Sequence, residues 1–358
     1  MRCGRTGCRR CIDICASGAL FSKQGSIARR DALCRSCTGC LLACPTEAAS
    51  RLHPDRTTPL EELAHRLQGS TPPGGPAPWL ILSIGDPPPF PEKSPHATVL
   101  SLAIDHWAMT GLELWFAALA LGAAGVTALT GEQVPEPVQR EYERQQSLAA
   151  HILRSLGLEK ERITAGVCPT PLPPLRRSLP NRAPLSPRAF SGEKKREVLL
   201  TSLQQLQEGA PRTLPAIGLP SGACYGALRL DPERCTLCLA CATVCPTGAI
   251  RAETGDSSSG LLFRELDCIQ CGLCRGVCPE AALELEPRLL LTDEVFSFRR
   301  LFGEELQHCP GCGRPVASVS MLRSIRERLR GHWMYQSASA GNHLLLCAHC
   351  KARSALAE

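Results

Sequence analysis

The chain has 358 residues, 22 of them cysteine, with only eight Phe, four Trp and three Tyr, an apolar content of 44 % and a formal net charge of +6. Apolar content of that order excludes disorder throughout, and the length suits two to four domains at about 100–200 residues each. Twenty of the cysteines fall in tight groups, a distribution expected of thiols that bind something and not of thiols that merely fill a core.

In chain order, residues 1–56 hold two cysteine groups, and 57–78 read as a polar helix and a Pro/Gly-rich linker. Residues 79–167 alternate short apolar runs with amphipathic stretches. Strands are expected at 79–84, 98–102 and 126–129, and helices at 111–123 and 138–156, the pattern of a small α/β domain with a partly parallel sheet. A Pro/Arg-rich linker at 168–190 and a helical connector at 191–215 follow. Residues 216–292 hold two further cysteine groups, and 293–358 form a tail with two CxxC pairs around an Arg-rich helix. The expected fold class is therefore a multidomain α+β and α/β chain. It has two two-cluster ferredoxin-like modules, an α/β domain between them, and a zinc-ribbon-like tail.

A disulfide framework suits short exported domains, whereas no apolar stretch follows Met1-Arg2-Cys3. Neither Arg9-Arg10 nor Arg29-Arg30 opens a twin-arginine signal. The apolar run 114–129 contains Gly122 and Gly125 and falls short of the ~20 residues a spanning helix needs. A buried helix leading into a strand is the expectation, in a cytoplasmic protein without a membrane span.

Cys235-x2-Cys238-x2-Cys241-x3-Cys245-Pro246 and Cys268-x2-Cys271-x2-Cys274-x3-Cys278-Pro279 are two copies of one pattern, the run that wraps [4Fe-4S] clusters in two-cluster bacterial ferredoxins. Three cysteines at two-residue gaps share one tight loop and reach three corners of a cube, while the fourth serves the neighbouring cube. Cys235, Cys238, Cys241 and Cys278 are expected on one cluster, and Cys268, Cys271, Cys274 and Cys245 on the other. After each proline a short helix is expected, at 247–250 and 280–283. The N-terminal pair is irregular. Cys34-x2-Cys37-x2-Cys40-x3-Cys44-Pro45 is complete, but its mate reads Cys3-x4-Cys8-x2-Cys11-x3-Cys15-Ala16. The same exchange puts Cys34, Cys37, Cys40 and Cys15 on one cluster, and Cys8, Cys11, Cys44 and Cys3 on the other. Strand-like segments lead into three of the motifs, whereas Cys3 has only Met1-Arg2 before it, so either the first strand is missing or the gene begins upstream.

Cys309-x2-Cys312 and Cys347-x2-Cys350 fit a four-thiolate zinc ribbon, with rubredoxin-like iron as the alternative metal. His308, His343 and His349 stand nearby and are expected to be bystanders. Cys168 and Cys224 are isolated in sequence and read as buried or incidental thiols. The arginines 323, 326, 328 and 330 read first as a solvated face. No GxGxxG or GxxxxGK[ST] occurs, and no nucleophile with partners can be assembled, so an electron-transfer protein rather than an enzyme is expected. With four clusters and a zinc bound, the charge would fall to about −4, which removes most of the argument for a nucleic-acid partner.

The segments Asp231-Pro-Glu-Arg-Cys-Thr-Leu-Cys-Leu-Ala-Cys241, Glu286-Pro-Arg-Leu-Leu-Leu-Thr292, Gly111-Leu-Glu-Leu-Trp-Phe-Ala-Ala-Leu-Ala-Leu-Gly-Ala123, Cys8-Arg-Arg-Cys-Ile-Asp-Ile-Cys15 and Leu329-Arg-Gly-His-Trp-Met334 together resemble bacterial 4Fe-4S proteins found alongside molybdenum formate dehydrogenases. The resemblance implies electron transfer next to an oxidoreductase, with formate oxidation the expected chemistry of the partner. Its members are often longer at the N-terminus. The α/β segment also looks distantly like the small iron–sulfur subunit of some hydrogenase complexes. The rival readings are an accessory or assembly factor for a molybdenum enzyme with structural clusters, and a cluster-bearing nucleic-acid-binding protein.

Overall fold

The computed structural model describes residues 8–24, 26–49, 60–70, 77–84, 93–94, 97–106, 110–129, 134–166, 194–335 and 342–355. Cys3, Cys168 and the whole of the Pro/Arg-rich linker 168–190 lie outside them. The chain divides into two compact units, Met1–Tyr225 with Pro287–Asp293, and Gly226–Glu286 with Glu294–Glu358.

The first unit opens with helix α1 (Arg10–Asp13), an antiparallel hairpin of β1 (Leu20–Lys23) and β2 (Ser26–Arg29), and helix α2 (Gly39–Ala43). Helix α3 (Leu60–Ser70) follows. A five-stranded sheet comes next, formed by β3 (Trp79–Ile84), β4 (Lys93–Ser94), β5 (Ala97–Ile104), β6 (Gly125–Leu129) and β7 (Ile163–Gly166) in the order β4-β5-β3-β6-β7. Strands β5, β3, β6 and β7 run parallel, and β4 is an antiparallel edge. The central strand reads as an unbroken apolar run because both of its faces are covered: Trp79, Leu80, Ile81 and Leu82 are all buried. Trp79 donates its indole N–H to Thr127 Oγ1 at 2.9 Å, and its ring lies over Gly125, where a Cβ would come within 2.5 Å of it.

The apolar run 114–129 divides as expected into a helix and a strand. Helix α4 (Leu112–Ala120) is buried along its whole length, and Gly122, at φ +107°, turns the chain into β6. Helix α5 (Glu136–Ser155) starts behind Pro135 and buries Val138, Tyr142, Leu148, Ala149, Ile152 and Leu153 on one face. Arg162 is fully buried, donating to Ala124 O at 2.9 Å and paired with Glu159 at 2.8 Å. Helix α6 (Lys195–Gln207) packs on α4, and its first turn is closed by Glu197 accepting from Lys194 N at 3.0 Å. Strand β8 (Ala216–Gly218) completes the unit.

The second unit contains β9 (Gly226–Leu230), helix α7 (Ala240–Val244), the antiparallel hairpin β10 (Ile250–Thr254) and β11 (Ser258–Phe263), helix α8 (Leu273–Val277) and residues 283–286 of strand β12 (Leu283–Leu290). Residues 288–290 of β12 pair with β8 in the first unit's part of the chain. Strand β13 (Arg299–His308) pairs antiparallel with β11 and with β14 (Pro315–Ser318), so the stretch after the cysteine motifs extends the hairpin's sheet. Helices α9 (Val319–Arg328) and α10 (Ala348–Ala355) follow.

One local expectation is corrected. Residues 247–250 and 280–283 open strands, not helices, because Gly248 (φ +71°) and Ala281 (φ +46°) sit in the left-handed region, which a right-handed helix cannot include. The short helices lie earlier, between the second and fourth cysteines. Among the described residues no helix is long and apolar enough to cross a membrane.

Candidate metal centres

In the second unit the two motifs converge on one apolar core. Cys235, Cys241 and Cys274 are buried in it with Leu228, Leu237, Ile250, Leu261, Phe263 and Leu283, and Cys245, Cys268 and Cys278 pack against it. A small cavity of about 20 Å³ is lined by Cys245, Cys268, Cys271 and Cys274 together with Leu228, Phe263 and Leu285. These are the three cysteines of one loop and the fourth of the other.

The electrostatics show the same exchange. Burial pushes the Cys235 thiol up, and charge on Cys278 and Cys238 pushes it further. Cys241 is pushed up to about 12 by burial and then by Cys235, Cys238 and Cys278. Cys271 is raised by burial and by Cys245, and Cys274 reaches about 12 through burial and its neighbours Cys268 and Cys271. Thiols crowded in this way stay protonated unless a cation offsets their charge, which is what ligation by a metal cluster supplies.

The backbone repeats at each complete motif. The residues on either side of the second cysteine are left-handed in all three: Ser36 and Thr38 (φ 51° and 53°), Leu237 and Leu239 (51° and 59°), Gln270 and Gly272 (53° and 78°). The third residue after the fourth cysteine is left-handed in all four: Gly18, Glu47, Gly248 and Ala281. This geometry turns successive amides toward the thiols. Leu237 N–H bonds Cys235, Ala242 N–H bonds Cys241, and Leu273 N–H bonds Cys271. Ala282 N–H reaches Cys278 Sγ at 3.4 Å, and Gln270 Nε2 donates to Cys268 Sγ at 3.4 Å. A left-handed non-glycine residue costs about 1–2 kcal/mol. Leu237, Leu239, Gln270 and Ala281 together therefore carry strain comparable to a large part of a domain's ~5–15 kcal/mol stability. The donor chemistry and the strained, amide-lined loops fit a [4Fe-4S] cluster at each set of the second unit.

Residues 228–251 and 262–284 match the family model of the 4Fe-4S binding domain. This part of the chain is an iron–sulfur, ferredoxin-type domain. No curated protein matches it significantly.

The N-terminal cysteines gather in a core of their own. Cys11, Cys40 and Cys44 are buried with Leu20, Leu41 and Ala49, and Cys15 packs against them. Cys40 is pushed up to about 12 by burial and then by Cys37, Cys15 and Cys34, so the four thiols of one expected set sit within one another's field. Burial also pushes Cys15 up, but the Ser17 hydroxyl and the amides of Ser17, Ala19 and Leu20 outweigh it and hold that thiol below its ordinary value. The remaining set departs from the repeat. Arg9, directly after Cys8, has φ −114° where its counterparts are left-handed. Cys8 is raised by burial, with charge on Cys44 and on Cys224 adding to it. Cys224 is buried and lines a small cleft with Cys44, Pro45, Glu113 and Lys195.

In the tail, Cys309, Cys312, Cys347 and Cys350 place their Sγ atoms all within 4.8 Å of one another. The first pair sits in a tight turn, with Gly313 N donating to Cys309 O at 2.8 Å and Cys309 N to Arg314 O at 2.8 Å. Cys312 is drawn down to about 6 by the amide and then the side chain of Arg314. A four-thiolate set of this closeness can bind a metal ion. His308 is occupied with Asp256 O at 3.3 Å and His343 with Ser354 Oγ at 2.9 Å. Arg328 of the Arg-rich helix pairs with Glu280 at 2.6 Å.

Proposed function

We propose that the chain carries single electrons to or from an oxidoreductase partner, a molybdenum formate dehydrogenase, in the cytoplasm, through four [4Fe-4S] clusters in two ferredoxin modules, and that its tail holds zinc. The observation that carries this reading is the exchange of fourth cysteines in the second unit. Cys278 lies within the field of Cys235 and Cys241, and Cys245 lines one cavity with Cys268, Cys271 and Cys274. Two ligand sets that trade a residue are held close together, as a chain of electron carriers requires. The sequence resemblance supports the choice of partner, and the thiolate-rich ligand sets suit a reducing compartment.

Bound at these thiols, a [4Fe-4S] cluster supplies one-electron redox chemistry. The residues of the chain do the rest. Leu228, Phe263 and Leu285 keep water from the thiols of one set, and the amide donors on Cys268 and Cys278 stabilise added negative charge. Cys238 is the exposed cysteine of its set and gives a partner an approach. Beside Cys235, a cleft lined by Glu233, Arg234, Glu280, Arg323 and Glu327 offers charges of both signs for docking. In the tail, four thiolates provide the closed tetrahedral set of a structural zinc site.

The test is anaerobic purification followed by iron, sulfide and zinc analysis, with spectra before and after dithionite. About sixteen irons and one zinc per chain, with clusters that reduce reversibly and accept electrons from formate dehydrogenase turning over formate, are expected. Clusters that resist reduction would overturn electron transfer in favour of an accessory factor. Reduction by other donors but not by formate dehydrogenase would overturn the partner alone.

A further inference from the structure

The expected fourth thiol of the first N-terminal set, Cys3, belongs to the one motif whose loop departs from the shared backbone geometry. The first unit brings a different thiol to the same place. Cys224 is distant in sequence from Cys8, Cys11 and Cys44, yet it is buried and lines the same cleft as Cys44.

Several contacts hold it there. Arg10, two residues after Cys8, donates from Nη2 to Gly222 O at 2.8 Å, which ties helix α1 to the turn just before Cys224. That turn is closed by Ala223 N donating to Pro220 O at 3.2 Å, with Gly222 at φ +84°. From the other side, Arg196 Nη1 donates to Cys224 O at 2.8 Å, and its guanidinium stacks 4.3 Å over the Tyr225 ring. The adjoining Lys195 donates to Leu41 O at 2.9 Å on helix α2, three residues before Cys44. Two consecutive residues at the start of α6 thus clamp the Cys224 segment and the helix that leads into Cys44 to one another, while Arg10 closes the third side.

We propose that Cys224 is the fourth ligand of the N-terminal iron–sulfur cluster held by Cys8, Cys11 and Cys44, in the place that sequence spacing gives to Cys3. The assignment rests on the reading of the N-terminal cysteines as a cluster site. It also accounts for a buried thiol that no cysteine motif includes.

The test uses the full chain, reconstituted anaerobically with ferrous iron and sulfide, as wild type and as Cys224→Ser, Cys3→Ser and Cys11→Ser, with iron counts and electron paramagnetic resonance spectra. Cys224→Ser is expected to lose about one to four irons, with a three-iron signal where one iron is lost, while Cys3→Ser keeps the full complement. Full iron with unchanged spectra in Cys224→Ser, or loss of iron in Cys3→Ser, overturns the assignment. If Cys224→Ser instead loses about eight irons because the first unit fails to fold, the Cys3→Ser arm decides by the same criterion. Cys11→Ser separates the two levels of the reading. If it loses no iron, the N-terminal cluster itself is absent and the proposal falls with it. If it loses iron while Cys224→Ser does not, only the role of Cys224 falls.

Discussion

Thr38 and Leu239 hold the same left-handed backbone, φ 53° and 59°, each directly after the second cysteine of its motif and each at the N-terminal end of a five-residue helix. Neither is a residue type that favours this conformation, and neither has a neighbour in sequence that demands it. What they share is their place in a cysteine loop, directly after its second thiol. The backbone of each loop is shaped for a ligand, and the cost of that shape falls on the protein when the ligand is missing.

That cost can be tested at Ala281, the exposed left-handed residue after Cys278. Ala281→Gly removes no buried side chain and relieves the left-handed strain, so it is expected to stabilise the protein by about 1 kcal/mol. Equilibrium denaturation of the anaerobic holoprotein, with an unchanged iron count, is the check. A loss of stability would show that the conformation is not strained.

Removing one thiol from the core should be far more damaging. Cys241→Ser and Cys274→Ser each withdraw a buried member of a ligand set, so each is expected to lose about four irons and to destabilise the second unit. Iron analysis beside thermal unfolding reads both effects. Unchanged iron in either variant would contradict the ligand assignment.

In the sheet of the first unit, Gly125 leaves room for Trp79. A methyl group there would come within 2.5 Å of a fully buried ring that is also held by its bond to Thr127. Gly125→Ala is expected to cost about 1–3 kcal/mol or more through overpacking. The midpoint of thermal unfolding measures it, and a neutral result would mean that the tryptophan can move aside.

Lys195 and Glu113 form a largely enclosed ion pair at 3.0 Å beside Cys44. Burial pushes the Lys195 ammonium down, but the Glu113 carboxylate outweighs it and holds the group above the ordinary lysine value. A raised folded value means that the stabilisation is fully present below about pH 10.4 and is lost as pH rises through the folded value. Lys195→Met leaves Glu113 buried without its partner and is expected to cost about 3–5 kcal/mol. Stability measured from about pH 7 to 9 should show a constant gap to wild type, and Glu113→Gln in the same background should recover much of it. A gap that closes within that range would rule out the pair as its source.

The sequence made the second unit's site legible because its motifs are local. Each of the two loops contains three cysteines and its own turn, so spacing alone defines the candidate set. Three of the five α/β strands were equally readable, since a central parallel strand such as 79–84 is apolar at nearly every position, while the short edge strands 93–94 and 163–166 were not. Three further features were not legible. The strands after Gly248 and Ala281 hide because short post-cysteine stretches have no periodicity, and a left-handed alanine leaves no mark in sequence. Strand β13 hides because its solvent-touching residues alternate too weakly, with Glu304 and Glu305 adjacent. Cys224 hides because its neighbours arrive through folding. Only the three-dimensional path of Arg10, Lys195 and Arg196 brings it to Cys44.

That path has a consequence in time. The groups that cover helix α2 come from far along the chain: Gln145 donates to Leu42 O and Lys195 to Leu41 O, while Arg10 of helix α1 waits for Gly222 O. At about 5–20 residues per second of synthesis, roughly 10–40 s separate the emergence of Cys44 from that of Gly222. The second unit's eight motif cysteines, by contrast, emerge within about 2–9 s of one another. The thiols made first therefore wait longest to be enclosed, and on the nascent chain they are the ones that must be shielded from oxidants and stray metal ions until the rest of their site arrives.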